Sequence, residues 1–435
     1  MIEEIVRAAQ GMKGAMIAQR RDFHQYAEVG WTEFRTASIV ADTLTTLGYE
    51  VLVGEEVIAA EAMMGVPSPQ ELERQAQRAI DQGADPMWVE KMSGGKTGVV
   101  GIMTFSQQGP TVALRFDLDA NDVTEVQEEG HRPYHEKFAS VNEGAMHACG
   151  HDGHAAVGLA LASMLVDFQG TLGGRIKLIF QPAEEGVRGA KAMVTKGIVD
   201  DVDYLIGMHF GFKMQKIGQL VCNVKGFLAT TKLDVEFTGI PAHAGAAPEE
   251  GRNALLAAAA AATYLHGISR HGQGTSRINV GMMQAGTGRN VIPAHAILKL
   301  ETRGATSEIN EYMYKEAIRI IESAATMQDV TVKISEQGRA AGGSNSPEMV
   351  NFIEKIAGEL GIFNEIVAQC DFNASEDCSY FMERVQQRGG QAAYVMVGTD
   401  LAAGHHDSRF DFDEEALVLG LGLLGSIAQK ILQAK

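Results

Sequence analysis

Eight consecutive residues, His147-Ala148-Cys149-Gly150-His151-Asp152-Gly153-His154, constrain this chain more than any other stretch. Imidazole and thiolate are the side chains that most often bind zinc-like metals. Cys149 and His151 stand two apart, with Gly150 between them to permit a tight turn. The apolar run Ala155-Ala156-Val157-Gly158-Leu159-Ala160-Leu161-Ala162 predicts a buried helix directly afterwards. The octet is therefore a loop entering a helix, a common place for a catalytic site in an α/β protein. The plain alternative is a partly buried polar turn with ordinary histidines. Three imidazoles beside a cysteine weigh against it.

Elsewhere, polar groups gather where apolar strands end. Gly98 to Phe105 and Thr111 to Phe116 read as strands joined by a turn at Gln107-Gln108-Gly109-Pro110, and the second runs into Asp117-Leu118-Asp119. Arg175 to Phe180 reads as a buried strand that ends at Gln181-Pro182-Ala183-Glu184-Glu185-Gly186, and Asp203 to Met208 as another that ends at His209. Gln391 to Val397 precedes a glycine-containing loop with the doublet His405-His406. In open α/β sheets, ligands bind outside the carboxyl ends of the strands.

The opening segment is helical to near Arg20-Arg21-Asp22-Phe23-His24. A second helix is expected from about Thr32 to Leu47, where Phe34, Ala37, Ala41, Leu44 and Leu47 recur at helical spacing and Gly48 stops it. A strand follows at Tyr49 to Val53. Residues 54–96 fit no simple alternation and read as an insertion with a surface helix near Glu71 to Ala76. Residues 225–337 have their own pattern, with strands at Thr231–Phe237, Ile278–Gln284, Ile297–Glu301 and Val330–Ile334 and helices at Asn253–His266 and Ser307–Met327. That β-α-β-β-α-β order is a compact two-layer module. The expected architecture is α/β: a mixed-sheet catalytic domain with helices on both faces over 1–224 and 338–435, interrupted by a smaller α+β domain over 225–337. The catalytic domain resumes near Ser346 and closes with a helix from about Asp413.

A length of 435 residues suits two domains better than one. With 37 basic and 55 acidic residues, the formal charge is -18, which argues against nucleic acid or an anionic membrane as the main partner. An anionic small substrate stays open, because a few local arginines override a global field. Cys149, Cys222, Cys370 and Cys378 form no dense disulfide pattern. The acidic N-terminus lacks a signal-peptide core. The apolar run Ala254 to Leu265, read as the longest, is too short to span a bilayer. A cytoplasmic setting is expected.

Metal-assisted hydrolysis needs a cation to polarise a carbonyl and acidify water, and a carboxylate to move protons. Cys149 and His151 offer two ligands. Glu184 and Glu185 are adjacent in a loop and point in different directions, so one can bind metal while the other faces the water; the alternative is a solvated acidic turn. His209 adds an imidazole at a third strand end. The doublet His405-His406 reads either as a further ligand or as a surface pair.

These motifs, His-Ala-Cys-Gly-His-Asp-Gly-His, Gln-Pro-Ala-Glu-Glu-Gly, Met-His-Phe-Gly and His-His-Asp-Ser-Arg-Phe-Asp-Phe-Asp-Glu, resemble in order those of the binuclear metal amidohydrolases. That family includes aminoacylases, indoleacetyl-amino-acid hydrolases and carboxypeptidase G-like enzymes. The opening Arg-Arg-Asp-Phe-His and the inserted module match it too. The resemblance implies two divalent metal ions, manganese or zinc, held by Cys149, His151, Glu185, His209 and His406. The choice of His406 follows from the family's last ligand lying four residues before a phenylalanine, here Phe410; Ser408 stands where the family usually has proline. Glu184 is implied as general base and acid. The inserted module is implied as a lid and dimerisation domain whose His243 stabilises the oxyanion, often across a dimer interface. Arg289 and Asn290 match a substrate-binding loop. Arg303, at the strand end Glu301-Thr302-Arg303, is a weaker candidate for the substrate carboxylate, since a surface ion pair accounts for it more simply. Asp117 and Asp119 either orient ligands or cap their turn.

The implied reaction is hydrolysis of the amide bond of an N-acyl or N-aroyl amino acid, with p-aminobenzoyl-glutamate favoured and a broader N-acyl-amino-acid amidohydrolase as the alternative. The implied assembly is a homodimer or a heteromer with a related chain. The reading from another class is a metal-binding component of a larger enzyme, active only with its partner.

Overall fold

The computed structural model describes residues 2–433. They divide into two compact units: one takes the chain as far as Lys225, Ser344–Phe372 and the chain from Asp377, and the other takes Gly226–Gly343 and Asn373–Glu376. In chain order the first unit begins with α1 (Ile2–Gln25), α2 (Phe34–Thr46), β1 (Glu50–Val53), α3 (Pro69–Asp81), α4 (Pro86–Lys91), β2 (Val99–Thr104) and β3 (Gln107–Asp117). It continues with α5 (His151–Phe168), β4 (Gly173–Gln181), α6 (Ala190–Thr195), β5 (Tyr204–Phe210) and β6 (Gln219–Val221). The second unit supplies β7 (Ala229–Thr238), α7 (Ala254–His266), β8 (Ser276–Ala285), β9 (His295–Gly304), α8 (Ser307–Met327) and β10 (Thr331–Ala340). The first then resumes with α9 (Pro347–Leu360), β11 (Glu365–Val367), α10 (Cys378–Gln387), β12 (Gln391–Val397) and α11 (Glu415–Leu432).

The large sheet has eight strands in the order β1-β2-β4-β3-β5-β12-β6-β11. Its centre, β4-β3-β5-β12, is parallel throughout. Every residue of β5 and β12 after the first is buried, so both faces of the sheet are covered. Apolar runs without alternation are what such strands require. The four central strands also bring their carboxyl ends to one edge.

One expectation fails here. Gln107–Pro110 is not a turn between neighbouring strands: these residues begin β3, and β4 lies between β2 and β3. The start of β3 runs against the start of β4 so closely that a Cβ on Gly174 would lie 2.2 Å from the Pro110 carbonyl oxygen. The register slips between Gln107 and Thr111 as a result.

The insertion holds α3 and α4, longer than the single surface helix expected, and both pack on α2. Ser68 caps α3 by accepting from the Glu71 amide, with Pro69 in the first turn. Helix α5 lies flat on the sheet, because a Cβ on Gly158 would come within 2.7 Å of Phe180. Helix α11, not Ala254–Leu265, is the longer apolar helix. By length and composition it passes for a membrane span, yet 78% of it is buried against the rest of the fold, so it is a core helix. It packs on α1 and α5.

The second unit pairs its strands antiparallel in the order β10-β7-β9-β8. Its core joins Leu233, Val235 and Phe237 of β7 to Ala257 and Ala261 of α7 and Met313 and Ile321 of α8. Asn253 and Thr306 cap the two helices.

Candidate metal centre

The end of β5 and the loops that leave β3, β4 and β12 carry one cluster. Ligand atoms of Cys149, His151 and His209 lie within 4.8 Å of one another, as do those of Cys149, Glu185 and His406, and those of His151, Glu184 and Glu185. Cys149 Sγ is 3.5 Å from His209 Nε2. Glu185 Oε1 is 3.4 Å from His406 Nε2 and 4.0 Å from His151 Nε2. Gly150 takes φ +90° at the tight turn between Cys149 and His151, a conformation that suits glycine alone.

Backbone carbonyls set the tautomers. His151 Nδ1 donates to the Asp119 carbonyl at 2.9 Å, and His209 Nδ1 donates to the Phe210 carbonyl at 2.7 Å. A carbonyl only accepts, so each Nδ1 carries the proton and Nε2 is the atom left to meet a cation. Burial opposes the charge on His151, but Asp117, Asp119 and Glu185 raise it to about 10, so a bound cation would displace its Nε2 proton. Among the described residues, His151 Nε2 and Glu185 Oε1 are buried without a hydrogen-bond partner. Buried polar atoms are rarely left so. Imidazole nitrogens, a thiol and carboxylates converging at this spacing fit divalent metal ions.

Electrostatics agrees. Burial, with the nearby charges of Glu185, Glu184 and Asp117, pushes the Cys149 thiol well up. A coordinated thiol is deprotonated outright, so a cation would reverse that balance. Burial opposes ionisation of Glu185, but neighbouring His406 and the charge of His151 hold it down at about 2. Burial, then His154 and His405, push His209 well below the usual histidine range.

The histidine doublet divides. His406, with φ +67°, donates its amide to the Ala148 carbonyl at 2.8 Å and so stands beside Cys149. His405 bonds the Phe210 carbonyl through Nε2 at 3.1 Å and stacks on Phe212 with ring centroids 3.9 Å apart. Asp119 both orients and caps: its carbonyl holds His151, and its carboxylate accepts the amides of Glu184 at 3.0 Å and Glu185 at 2.8 Å. Asp117 accepts from His154 Nδ1 and Arg115, and His154 Nε2 accepts the Phe210 amide, which keeps that imidazole in a supporting position.

Behind the cluster lies a buried ionic network. Arg20 reaches Asp152 at 2.8 Å, Asp411 at 2.9 Å and Glu414 at 3.3 Å. His24 Nδ1 is 2.8 Å from Asp152 and Nε2 is 3.0 Å from Glu125. Carboxylates accept, so both ring nitrogens donate and the ring is an imidazolium. Burial opposes this, but the bonds to Asp152 and Glu125 raise His24 from 6.5 to about 9. A group raised in the folded state stabilises fully below its unfolded value and loses that contribution as pH rises through the folded one. The stability gap between the parent chain and His24→Gln should therefore narrow from about pH 6.5 to above about pH 9, read from denaturant midpoints. A gap that widens over that range contradicts the assignment. Arg20 and His24 share a helix face at four-residue spacing within Arg-Arg-Asp-Phe-His, and Asp152, Asp411 and Glu414 lie in the other quoted motifs, but nothing in the sequence pairs them. His147 lies outside the cluster, and burial holds it neutral at about 3.

In the second unit, the His243 and Arg289–Asn290 loops join: the Ala244 amide donates to the Asn290 carbonyl at 3.0 Å and the Ile292 amide to the Ala242 carbonyl at 2.9 Å. His243 Nδ1 accepts the amides of Gly245 and Ala246 at 3.1 Å, so a neutral ring carries its proton on Nε2. Arg289 is exposed, with no hydrogen bond or ion pair among the described residues. Arg303 forks onto Glu301 at 2.9 and 3.1 Å and reaches Ser375 at 3.3 Å.

Known proteins resemble this chain over nearly its whole length. A component chain of the p-aminobenzoyl-glutamate hydrolase of Escherichia coli (strain K12) is 51% identical over 94% of each chain. The indole-3-acetyl-aspartic acid hydrolase of Enterobacter agglomerans is 49% identical over 95% of each. The crystal structure of an aminobenzoyl-glutamate utilization protein from Klebsiella pneumoniae superposes with a TM-score of 0.84 at 41% identity, covering 99% of this chain and 98% of that one. The sequence profile of peptidase family M20/M25/M40 matches residues 113–430, which hold the metal cluster and the second unit. The chain is a hydrolase belonging to that family.

Proposed function

We propose that this chain hydrolyses the amide bond between an aromatic acyl group and an acidic amino acid, p-aminobenzoyl-glutamate foremost, giving p-aminobenzoate and glutamate. The convergence of Cys149, His151, Glu185, His209 and His406, with Glu184 beside His151 and Glu185, carries the reading. Those five would hold two divalent ions, manganese or zinc, and the two ligand triads sharing Cys149 support a pair rather than one. When bound, such ions polarise the scissile carbonyl and make water nucleophilic at neutral pH. Glu184 takes a proton from the attacking water and delivers it to the leaving nitrogen as the carbon–nitrogen bond breaks. The Nε2 proton of His243 is the hydrogen-bond donor for the oxyanion. The Arg289 fork pairs with a substrate carboxylate beside Asn290, a match of two donors to two oxygens. Arg303, already forked onto Glu301, is the weaker candidate.

The names of the two enzyme relatives share an aromatic acyl group on a dicarboxylic amino acid. The second unit acts as a lid and dimerisation domain. The Escherichia coli relative is named as one chain of a larger enzyme, which supports a heteromer with a related chain as readily as a homodimer. The charge of -18 supports neither a nucleic-acid nor a membrane partner, and the four free cysteines suit the cytoplasm.

The test is a hydrolysis screen of the metal-loaded chain. A side-chain carboxylate recognised by a charged fork is worth about 1.5–3 kcal/mol, so p-aminobenzoyl-glutamate should exceed p-aminobenzoyl-glutamine, which keeps the acyl group and the α-carboxylate, by roughly 10- to 100-fold in kcat/KM. Equal rates would leave the broader N-acyl-amino-acid amidohydrolase. Turnover only after adding a related second chain would identify a partner-dependent component.

A further inference from the structure

The turn that presents Glu184 is strained and held from several sides. Ala183 has φ +51°, Gly186 +87° and Val187 +60°. Positive φ is a genuine outlier for a β-branched residue, and such conformations persist only where the surroundings over-determine them. The amides are fixed from one side: Glu33 accepts from Ala183 at 2.7 Å, and Asp119 accepts from Glu184 and Glu185. Burial, then the charge of Asp119, raises Glu33 to about 8.

The Glu185 carbonyl is held by the Arg188 side chain. Its Nε donates to the Glu185 carbonyl at 2.9 Å, and its Nη1 donates to the Gly65 carbonyl at 3.2 Å. Gly65 belongs to the 54–96 insertion, so one guanidinium joins that insertion to the turn carrying the acid–base carboxylate. The fit is close: a Cβ on Gly30 would lie 2.4 Å from Arg188 Nη2. The insertion is anchored beside the same point, where Trp31 Nε1 donates to the Met64 carbonyl at 2.7 Å and the Ala59 amide donates to the Ala192 carbonyl at 3.1 Å. The backbone closes the turn's other carbonyls, since Glu184 accepts from the Val187 amide at 2.6 Å and Ala183 from the Arg188 and Gly189 amides at 3.1 and 2.9 Å; the Glu185 carbonyl, next to a permissive glycine, is the one that the Arg188 side chain holds.

We propose that Arg188 is a positioning residue that clamps the Glu185 carbonyl to Gly65, so that the insertion sets the aim of Glu184. The proposal rests on Glu184 being the general base. Misplacing a reacting group by about 1 Å costs up to roughly 100-fold, so Arg188→Ala should lose about 10- to 100-fold in kcat with little change in KM. Guanidinium chloride at low millimolar concentration should restore part of that loss in Arg188→Ala and none in Glu184→Gln. Hydrogen exchange should rise at Met63–Val66 and at the 183–188 turn in Arg188→Ala, with metal content unchanged. Arg188→Lys, which keeps the charge and reaches one carbonyl, should fall between the two and answers the question if the alanine variant does not fold. Unchanged kcat in Arg188→Ala beside an inactive Glu184→Gln overturns the clamp alone. A raised KM with kcat retained also overturns it, marking a substrate contact instead. Full activity in Glu184→Gln overturns the base assignment, and the clamp with it.

Discussion

Glu184→Gln should bind metal as the parent does and lose kcat by roughly 10²- to 10⁴-fold, the usual range for removing a general acid–base group. The substitution keeps the side-chain shape and leaves the Glu184 amide on Asp119, so the turn survives. It removes the one property the mechanism needs, the capacity to take and return a proton. Steady-state kinetics with metal content on the same sample decides the case. Retained metal and full turnover would place the base elsewhere. Lost metal would make Glu184 a ligand, which its spacing from His151 and Glu185 also permits.

The motifs were legible because their chemistry is local. Cys149 and His151 declare themselves within one turn, and β12 coincides with the apolar run Gln391–Val397. The six-element order of the second unit was equally readable, since each of its strands and helices keeps its own hydrophobic period. Pairing between distant strands left no such trace. Nothing in residues 98–117 announces that β4 will separate β2 from β3, because the partner lies more than fifty residues further along the chain. The division between His405 and His406 depends on one bond to Ala148 and one stacking contact with Phe212, both across the fold. Glu33 and Arg188 carry no motif at all. Their roles come from the carbonyls and amides of Ala183–Glu185, which only the assembled sheet edge brings within reach.

Arg20→Met should cost about 3–5 kcal/mol of stability, the expected range when one partner of a buried ion pair is removed. Arg20 and Asp152 are fully buried, so the variant leaves the Asp152 carboxylate without the guanidinium that faces it, while Asp411 keeps Arg132 and Glu414 keeps Arg21 and Arg132. The loss should shrink as pH falls. In the parent, burial opposes ionisation of Asp152, but Arg20 and His24 hold its carboxyl well below the usual range. A carboxylate depressed in this way stabilises above its unfolded pKa and loses that contribution as pH falls through the folded value. Without Arg20 this carboxyl protonates more readily, which relieves the variant and not the parent. Denaturant unfolding of both chains at neutral pH and near about pH 5 measures the difference. The same substitution should weaken metal binding, because Asp152 adjoins His151 and Asp411 lies in the segment after His406. Arg20 ties both segments to α1. A cost below about 1 kcal/mol, the range of an exposed pair, with metal affinity intact would reduce the network to solvated surface charge.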